Sequence, residues 1–250
     1  MDQDPTRRFS VRVQTYARYR PTYPAEVATL AERECGLRAG QTVADIGSGT
    51  GLLARLFLDR GCEVFGVEPN RDMREAGRKA LASEAGFHSI EGRAEASTLA
   101  ATSMDFVTAG QAAHWFNPDP AHQEFVRILK PGGWLLLVWN ERKPAPGLMR
   151  EYEALIAHHA PEQPRIDTGR IGRLFGGRTW RLARFDHHQT LDGEGLRGRV
   201  ASSSYTPPPG TAEHAALMTK VDDLFAQHQH QGSVDVLYDT EVYYGRPGVL

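Results

Sequence analysis

Three features of the sequence predict an α/β fold with a doubly wound, mostly parallel sheet. Short apolar strands near 42–46, 63–67 and 105–109 alternate with stretches of helical periodicity, an alternation that calls for right-handed βαβ crossovers. Trp134-Leu135-Leu136-Leu137-Val138-Trp139 is an almost unbroken apolar run, as expected for a strand covered on both faces. Gly47, Gly49 and Gly51 directly follow the first strand, at the rim where open parallel sheets bind ligands.

The elements follow in order. Residues 11–20 read as a helix stopped by Pro21, and Ala25–Gly36 as a second helix with Gly36 near its C-cap. A strand near 42–46 leads through the glycines into a helix near 50–60, then a strand near 63–67 and a helix near 70–83. A short strand near 87–91, the strand 105–109 and the helix His122–Leu129 come next. Lys130-Pro131-Gly132-Gly133 reads as a turn before the apolar strand.

Beyond Asn140 the pattern changes to helices Leu148–His159 and Ile171–Phe175 among prolines 144, 146, 161 and 164. A strand near 184–191 and a short helix near 194–203 come before Tyr205-Thr206-Pro207-Pro208-Pro209, a stiff linker. Thr211–Gln229 reads as a long helix and Val234–Tyr244 as a closing strand. The expected organisation is one domain: a helical arm over 1–40, a ligand-binding core over 41–140, and acceptor-side lid helices with the final strands over 141–250.

Composition excludes several classes. With 250 residues, 40% apolar and 24% charged, the chain can bury a core. A formal net charge of -2 argues against broad nucleic-acid binding. No apolar run approaches the ~18 residues of a membrane span, and the start lacks a secretory h-region, so a cytoplasmic protein is expected. Cys35 and Cys62 suggest neither a disulfide framework nor a zinc site. The pairs His158-His159 and His187-His188 are adjacent; neighbours diverge by about 100° on a helix and face opposite ways on a strand. No metal is expected.

The glycine loop reads as Asp45-Ile46-Gly47-Ser48-Gly49-Thr50-Gly51. Glycines there allow tight turns and close backbone approach to a ligand. A dinucleotide fingerprint would need Gly or Ala at position 52, where Leu52 stands. Asp45 would repel a pyrophosphate but suits a cationic amino-acid head group. No Gly-Lys-Ser/Thr follows, so it is no phosphate loop. The next strand, Val64-Phe65-Gly66-Val67, ends at Glu68, a carboxylate placed to grip hydroxyls. Cradle and acid on one rim describe a nucleoside site.

Five segments in order then carry a resemblance: Val43–Gly51, Gly66–Asn70, Gly92-Arg93-Ala94-Glu95, Gln111-Ala112-Ala113-His114-Trp115-Phe116 and Leu129-Lys130-Pro131-Gly132-Gly133. The chain resembles the class I S-adenosylmethionine-dependent methyltransferases. Phe9-x-x-Arg12-Val13-x-x-Tyr16-x-x-Tyr19-Arg20-Pro21 and the Gln111–Phe116 segment are similar to a small-molecule branch that includes the trans-aconitate type. The resemblance implies a seven-stranded Rossmann-like sheet with an N-terminal helical arm and a C-terminal lid insertion. It implies S-adenosylmethionine as cofactor, with Gly47, Ser48 and Gly49 beside its methionine part and Asp45 near its ammonium. Glu68 would accept from both ribose hydroxyls. Met73, Ala94 and Glu95 would meet the adenine, and Gln111 the reacting end. Tyr16, Tyr19 and Arg20 would lie over the cofactor from the arm. Arg93 and Ala100 depart from many relatives, which carry an acid and a proline there.

Methyl transfer from a sulfonium needs mainly an aligned acceptor, and a base only where a proton must leave. His114, titrating near neutrality on the rim, is the candidate base or pocket-lining group. Trp115, Trp139, Arg199 and Tyr205 are candidate acceptor contacts; Arg142, Arg199 or Arg20 would suit a carboxylic acid. Arg142 and Arg199 are otherwise expected as solvated surface charges. The expected activity is methylation of a small molecule at O, N or C. A non-catalytic S-adenosylmethionine-binding module and a nicotinamide oxidoreductase are the alternatives, the latter opposed by Leu52 and Asp45. Nucleic-acid amino methylation is disfavoured, since Gly110-Gln111-Ala112-Ala113 replaces the Asn/Asp-Pro-Pro-aromatic motif such enzymes carry after the fourth strand.

Overall fold

A computed structural model describes residues 18–157, 159, 167–203 and 205–248. Helix 11–20 up to residue 17, Tyr16, His158 and Ser204 lie outside the described residues. The strands are β1 (Thr42–Ile46), β2 (Glu63–Val67), β3 (Phe87–Ile90), β4 (Met104–Gly110), β5 (Leu129–Arg142), β6 (Arg181–Leu191) and β7 (Val234–Gly245). They form one seven-stranded sheet in the order β3-β2-β1-β4-β5-β7-β6. Pairing from β3 through to β5 is parallel, while β7 runs antiparallel to both β5 and β6. The expected α/β class and mostly parallel sheet hold.

The helices are α1 (Glu26–Cys35), α2 (Leu52–Leu58), α3 (Arg71–Ala80), α4 (Pro118–Ile128), α5 (Leu148–Ala157), α6 (Thr168–Leu174), α7 (Gly193–Ala201) and α8 (Ala212–His228). Strand alternation sends side chains to opposite faces. Val43, Phe106, Leu136 and Val138 pack with Val27, Ala31, Leu53 and Phe57 of α1 and α2. Ala44, Ile46, Val107, Leu135 and Leu137 pack with Phe125 and Ile128 of α4 and Leu174 of α6. A third cluster joins Met149, Tyr152, Leu196, Val200, Leu217, Val221 and Tyr238 from α5, α7, α8 and β7. It is a core apart from the two that cover the sheet.

Boundaries shift for local reasons. Helix α1 ends where Gly36 adopts φ 75, a left-handed cap that costs glycine little. Helix α4 starts four residues before the expected His122, because Pro118 suits a first helical turn. The expected turn at Lys130–Gly133 is instead the irregular opening of β5. Pairing jumps there from Met104↔Leu129 to Phe106↔Trp134, and Gly132 takes φ 81. Strand β5 also runs on to Arg142, because β7 supplies a partner as far as Tyr238.

Candidate active site

Strand order reverses between β1 and β4: the chain winds outward to β3 and then returns to β4 on the other side of β1. The crevice at such a switch point is where open α/β sheets take ligands. Its two walls here are the 45–51 loop after β1 and the 110–116 loop after β4.

Gly47, Gly49 and Gly51 have φ 71, 55 and 83, conformations that L side chains avoid. A Cβ at Gly47 would lie 2.6 Å from the Cβ of Ala112, and one at Gly51 would lie 2.5 Å from Leu81 Cδ1. The β4 loop therefore closes directly over the glycine turn. The turn is pinned to β2 because Gly47 N donates to Val67 O at 2.8 Å.

Asp45 is 1% exposed and accepts from Thr108 Oγ1 of β4 at 3.1 Å through Oδ1. Its Oδ2 is buried with no hydrogen-bond partner. Burial, reinforced by the charge of Glu68 and opposed by Thr108 and the backbone amide of Ala54, pushes the Asp45 carboxyl up to about 7. Glu68 is oriented by two backbone amides: Gly49 N donates to Oε2 at 3.0 Å and Asn70 N to Oε1 at 2.8 Å. Burial raises its pKa while those amides and Arg74 oppose the shift. Asn70 also caps α3 by accepting from Met73 N, and this holds the buried Met73 beside Gly49. Two buried carboxylates facing a glycine turn favour a cationic ligand with hydroxyls, and the orphaned Oδ2 is an acceptor for an ammonium.

The third loop holds Ala94, which is buried, and Glu95, whose carboxylate accepts from Asn117 N at 2.8 Å. Glu95 thus ties this loop to the start of α4. Gln111 takes φ 53 just past β4, a strained conformation at the rim. Its Nε2 donates to Asn140 O at 3.0 Å, and Asn140 Nδ2 in turn donates to Thr22 O at 2.8 Å. This places the described end of the arm beside the β4 and β5 termini.

His114 sits in a 3-10 turn, Ala113–Trp115, with its Nδ1 buried and unpartnered. It does not titrate near neutrality: burial, then the charges of Arg170 and Arg20, bring its pKa to about 4. It is a neutral imidazole at physiological pH. Trp115 beside it is 41% exposed.

Several expected contacts are placed differently. Trp139 is 3% exposed and packs edge-on against Tyr243 within the sheet core. Tyr19 donates to Glu194 Oε1 at 2.7 Å, and a Cβ at Gly198 would meet its ring at 2.3 Å; it rests on lid helix α7. Arg20 Nη2 donates to Ser202 O at 3.1 Å. Arg142 is no free surface charge, since it pairs with Glu153. Arg199, expected at the surface, is 3% exposed. It lies in the lid interior with Tyr205, where β7 and α7 have closed over it. Thr108, which bonds Asp45, is a site residue that the sequence reading did not single out; a polar residue inside an apolar strand was the available signal.

The comparisons agree with this geometry. The methyltransferase domain family matches residues 44–137. An uncharacterized methyltransferase of Mycobacterium tuberculosis is 32% identical over 220 residues, covering 88% of this chain and 86% of that protein. A solved structure of a proposed type II methyltransferase from Anaeromyxobacter dehalogenans matches with TM-score 0.71 at 18% identity, covering 91% of this chain and 98% of that one. A SAM-dependent methyltransferase from Geobacter sulfurreducens, solved with S-adenosyl-L-homocysteine, matches with TM-score 0.56 at 16% identity, covering 97% and 98%. The chain belongs to the class I S-adenosylmethionine-dependent methyltransferases. Among the described residues no helix is long and apolar enough to cross a membrane, and no group of three or more His, Cys, Asp or Glu is set to hold a metal ion.

Proposed function

We propose that the chain methylates a small-molecule acceptor at O, N or C, in the crevice between the β1 and β4 loops. When bound, S-adenosylmethionine supplies a methyl group on a sulfonium, an electrophile that needs no covalent help from the protein. Asp45 would hold the ammonium through its free Oδ2, Gly47–Gly49 would line the methionine part, and Glu68 would take the ribose hydroxyls. Met73, Ala94 and Glu95 would border the adenine. Gln111 would face the methionine part near the reacting methyl, and His114 would line the acceptor pocket.

The observation that carries this reading is the buried, unpartnered Oδ2 of Asp45, two residues before the first glycine of the cradle. A carboxylate so placed loses solvation, and a cationic ligand offsets that loss while keeping it ionised. That supports S-adenosylmethionine over a dinucleotide, whose pyrophosphate it would repel. His114, neutral at pH 7, is suited to accept a hydrogen bond from an acceptor rather than to act as a strong base. A carboxylic acid, among the acceptors the small-molecule branch suggests, would need no base at all.

Calorimetric titration with S-adenosylhomocysteine tests the reading, with NADH as control. S-adenosylhomocysteine should bind and NADH should not. Glu68→Ala should weaken the binding by about 1.5–3 kcal/mol, the range for hydrogen bonds to a charged group. Unchanged affinity in that variant would remove Glu68 from the ribose.

A further inference from the structure

The cluster formed by α5, α7, α8 and β7 contains a buried cation with no acid among the described residues to balance it. Arg199 is 3% exposed; its Nε donates to the Tyr238 hydroxyl at 2.9 Å and its Nη1 to Ser203 Oγ at 3.3 Å. The titratable groups that act on it are Tyr238, Tyr152 and Tyr205, not a carboxylate. The neighbouring Arg142, by contrast, is neutralised by Glu153. A guanidinium stays protonated at any pH the protein meets, and burying it without a counter-charge costs several kcal/mol. Such a cost is retained most readily where a ligand supplies the missing charge.

Two further buried hydroxyls lie near this guanidinium. Tyr152 is fully buried, and its hydroxyl has no hydrogen-bond partner. The Tyr205 hydroxyl is also buried, beside Ser203 but without a well-formed bond to it. Burial alone would raise Tyr205; Arg142, Ser203, Arg199 and Arg20 outweigh it and hold its pKa below the usual value. Arg20, whose Nη2 donates to Ser202 O at 3.1 Å, is charged within reach of both Tyr205 and His114 and lowers the pKa of each.

We propose that Arg199, with the hydroxyls of Tyr152 and Tyr205, binds an oxyanion carried by the acceptor, a carboxylate or a phosphate. The proposal rests on the methyltransferase reading above and names the chemistry of its acceptor. It also assigns Arg199 as the residue that selects it. Two oxygens of one anionic group match the planar fork of a guanidinium, and the tyrosine hydroxyls would complete its shell.

The test is calorimetric titration of the full chain, first with S-adenosylhomocysteine and then, once loaded, with succinate, methyl phosphate or the uncharged succinamide at millimolar concentration. Succinate or methyl phosphate should bind and succinamide should not. A response to one anion alone identifies which oxyanion the acceptor carries. Arg199→Gln should weaken that anion about tenfold to a hundredfold and leave S-adenosylhomocysteine affinity unchanged. Tyr152→Phe removes only an unpartnered hydroxyl, so it should keep the wild-type melting temperature yet weaken the anion several-fold; a purely structural tyrosine would not. The proposal falls if the loaded protein binds neither anion, or if binding is unchanged in Tyr152→Phe and in a folded Arg199→Gln. Failure of S-adenosylhomocysteine to bind, read in the first titration, overturns the methyltransferase reading and the oxyanion site with it.

Discussion

Asp45 carries the most information of any single residue. Its pKa of about 7 comes chiefly from burial, so this carboxyl by itself is partly protonated at neutral pH. An ammonium beside Oδ2 would favour the ionised form and drive the proton off. S-adenosylhomocysteine binding near pH 7 should therefore release part of a proton, and affinity should fall as pH drops from about 8 to about 6. The measurement is the dependence of binding heat on buffer ionisation enthalpy; Asp45→Asn should lose both the proton release and the pH dependence. For the unliganded protein the sign is opposite. A raised carboxyl contributes stability that is complete below its unfolded pKa and is lost as pH rises toward 7. His114, depressed to about 4, contributes stability present above its unfolded pKa and lost as pH falls through the acid range, so the two offset between about 4 and about 6.5.

At the scale of elements, the site depends on the contact between the arm and helix α7. Tyr19 fits against α7 only because position 198 has no side chain, its ring lying where a Cβ would meet it at 2.3 Å. Gln189 Nε2 of β6 also donates to Tyr19 O at 3.1 Å, and Asn140 fixes Thr22. Gly198→Val should expel the Tyr19 ring while leaving the sheet intact. Limited proteolysis should then cut the arm faster than in the wild type, with the melting temperature little changed. Equal cleavage rates would show that the arm is held elsewhere. From sequence, helix α7 and its bounds were legible to within two residues, and Gly198 was not noticed. A helical glycine gives no hint of which distant ring fills its space.

At the scale of the whole molecule, the sheet core and the lid core are separate clusters. Leu217 is 1% exposed in the lid core, and Leu217→Ala should cost about 2–5 kcal/mol. Hydrogen exchange should speed up in α5, α7 and α8 and remain slow in β1 and β4. Uniform acceleration would mean that lid and sheet open as one unit. The strand and helix order, the glycine turn and the acid ending β2 were legible because each is local. Periodicity fixes which face a side chain takes, and glycine at φ 71 or Glu68 beside Asn70 needs only near neighbours in sequence. Tertiary structure alone decided the polarity of β7, the burial of Trp139 and the displacement of Arg199 from surface to interior. Each of these depends on partners far along the chain: Tyr243 lies over a hundred residues from Trp139, and Tyr238 is 39 from Arg199. The sequence by itself thus determined the glycine turn and the acid that ends β2, and the packing of distant segments decided the surroundings of Trp139 and Arg199, because burial and charge balance belong to no single stretch of chain.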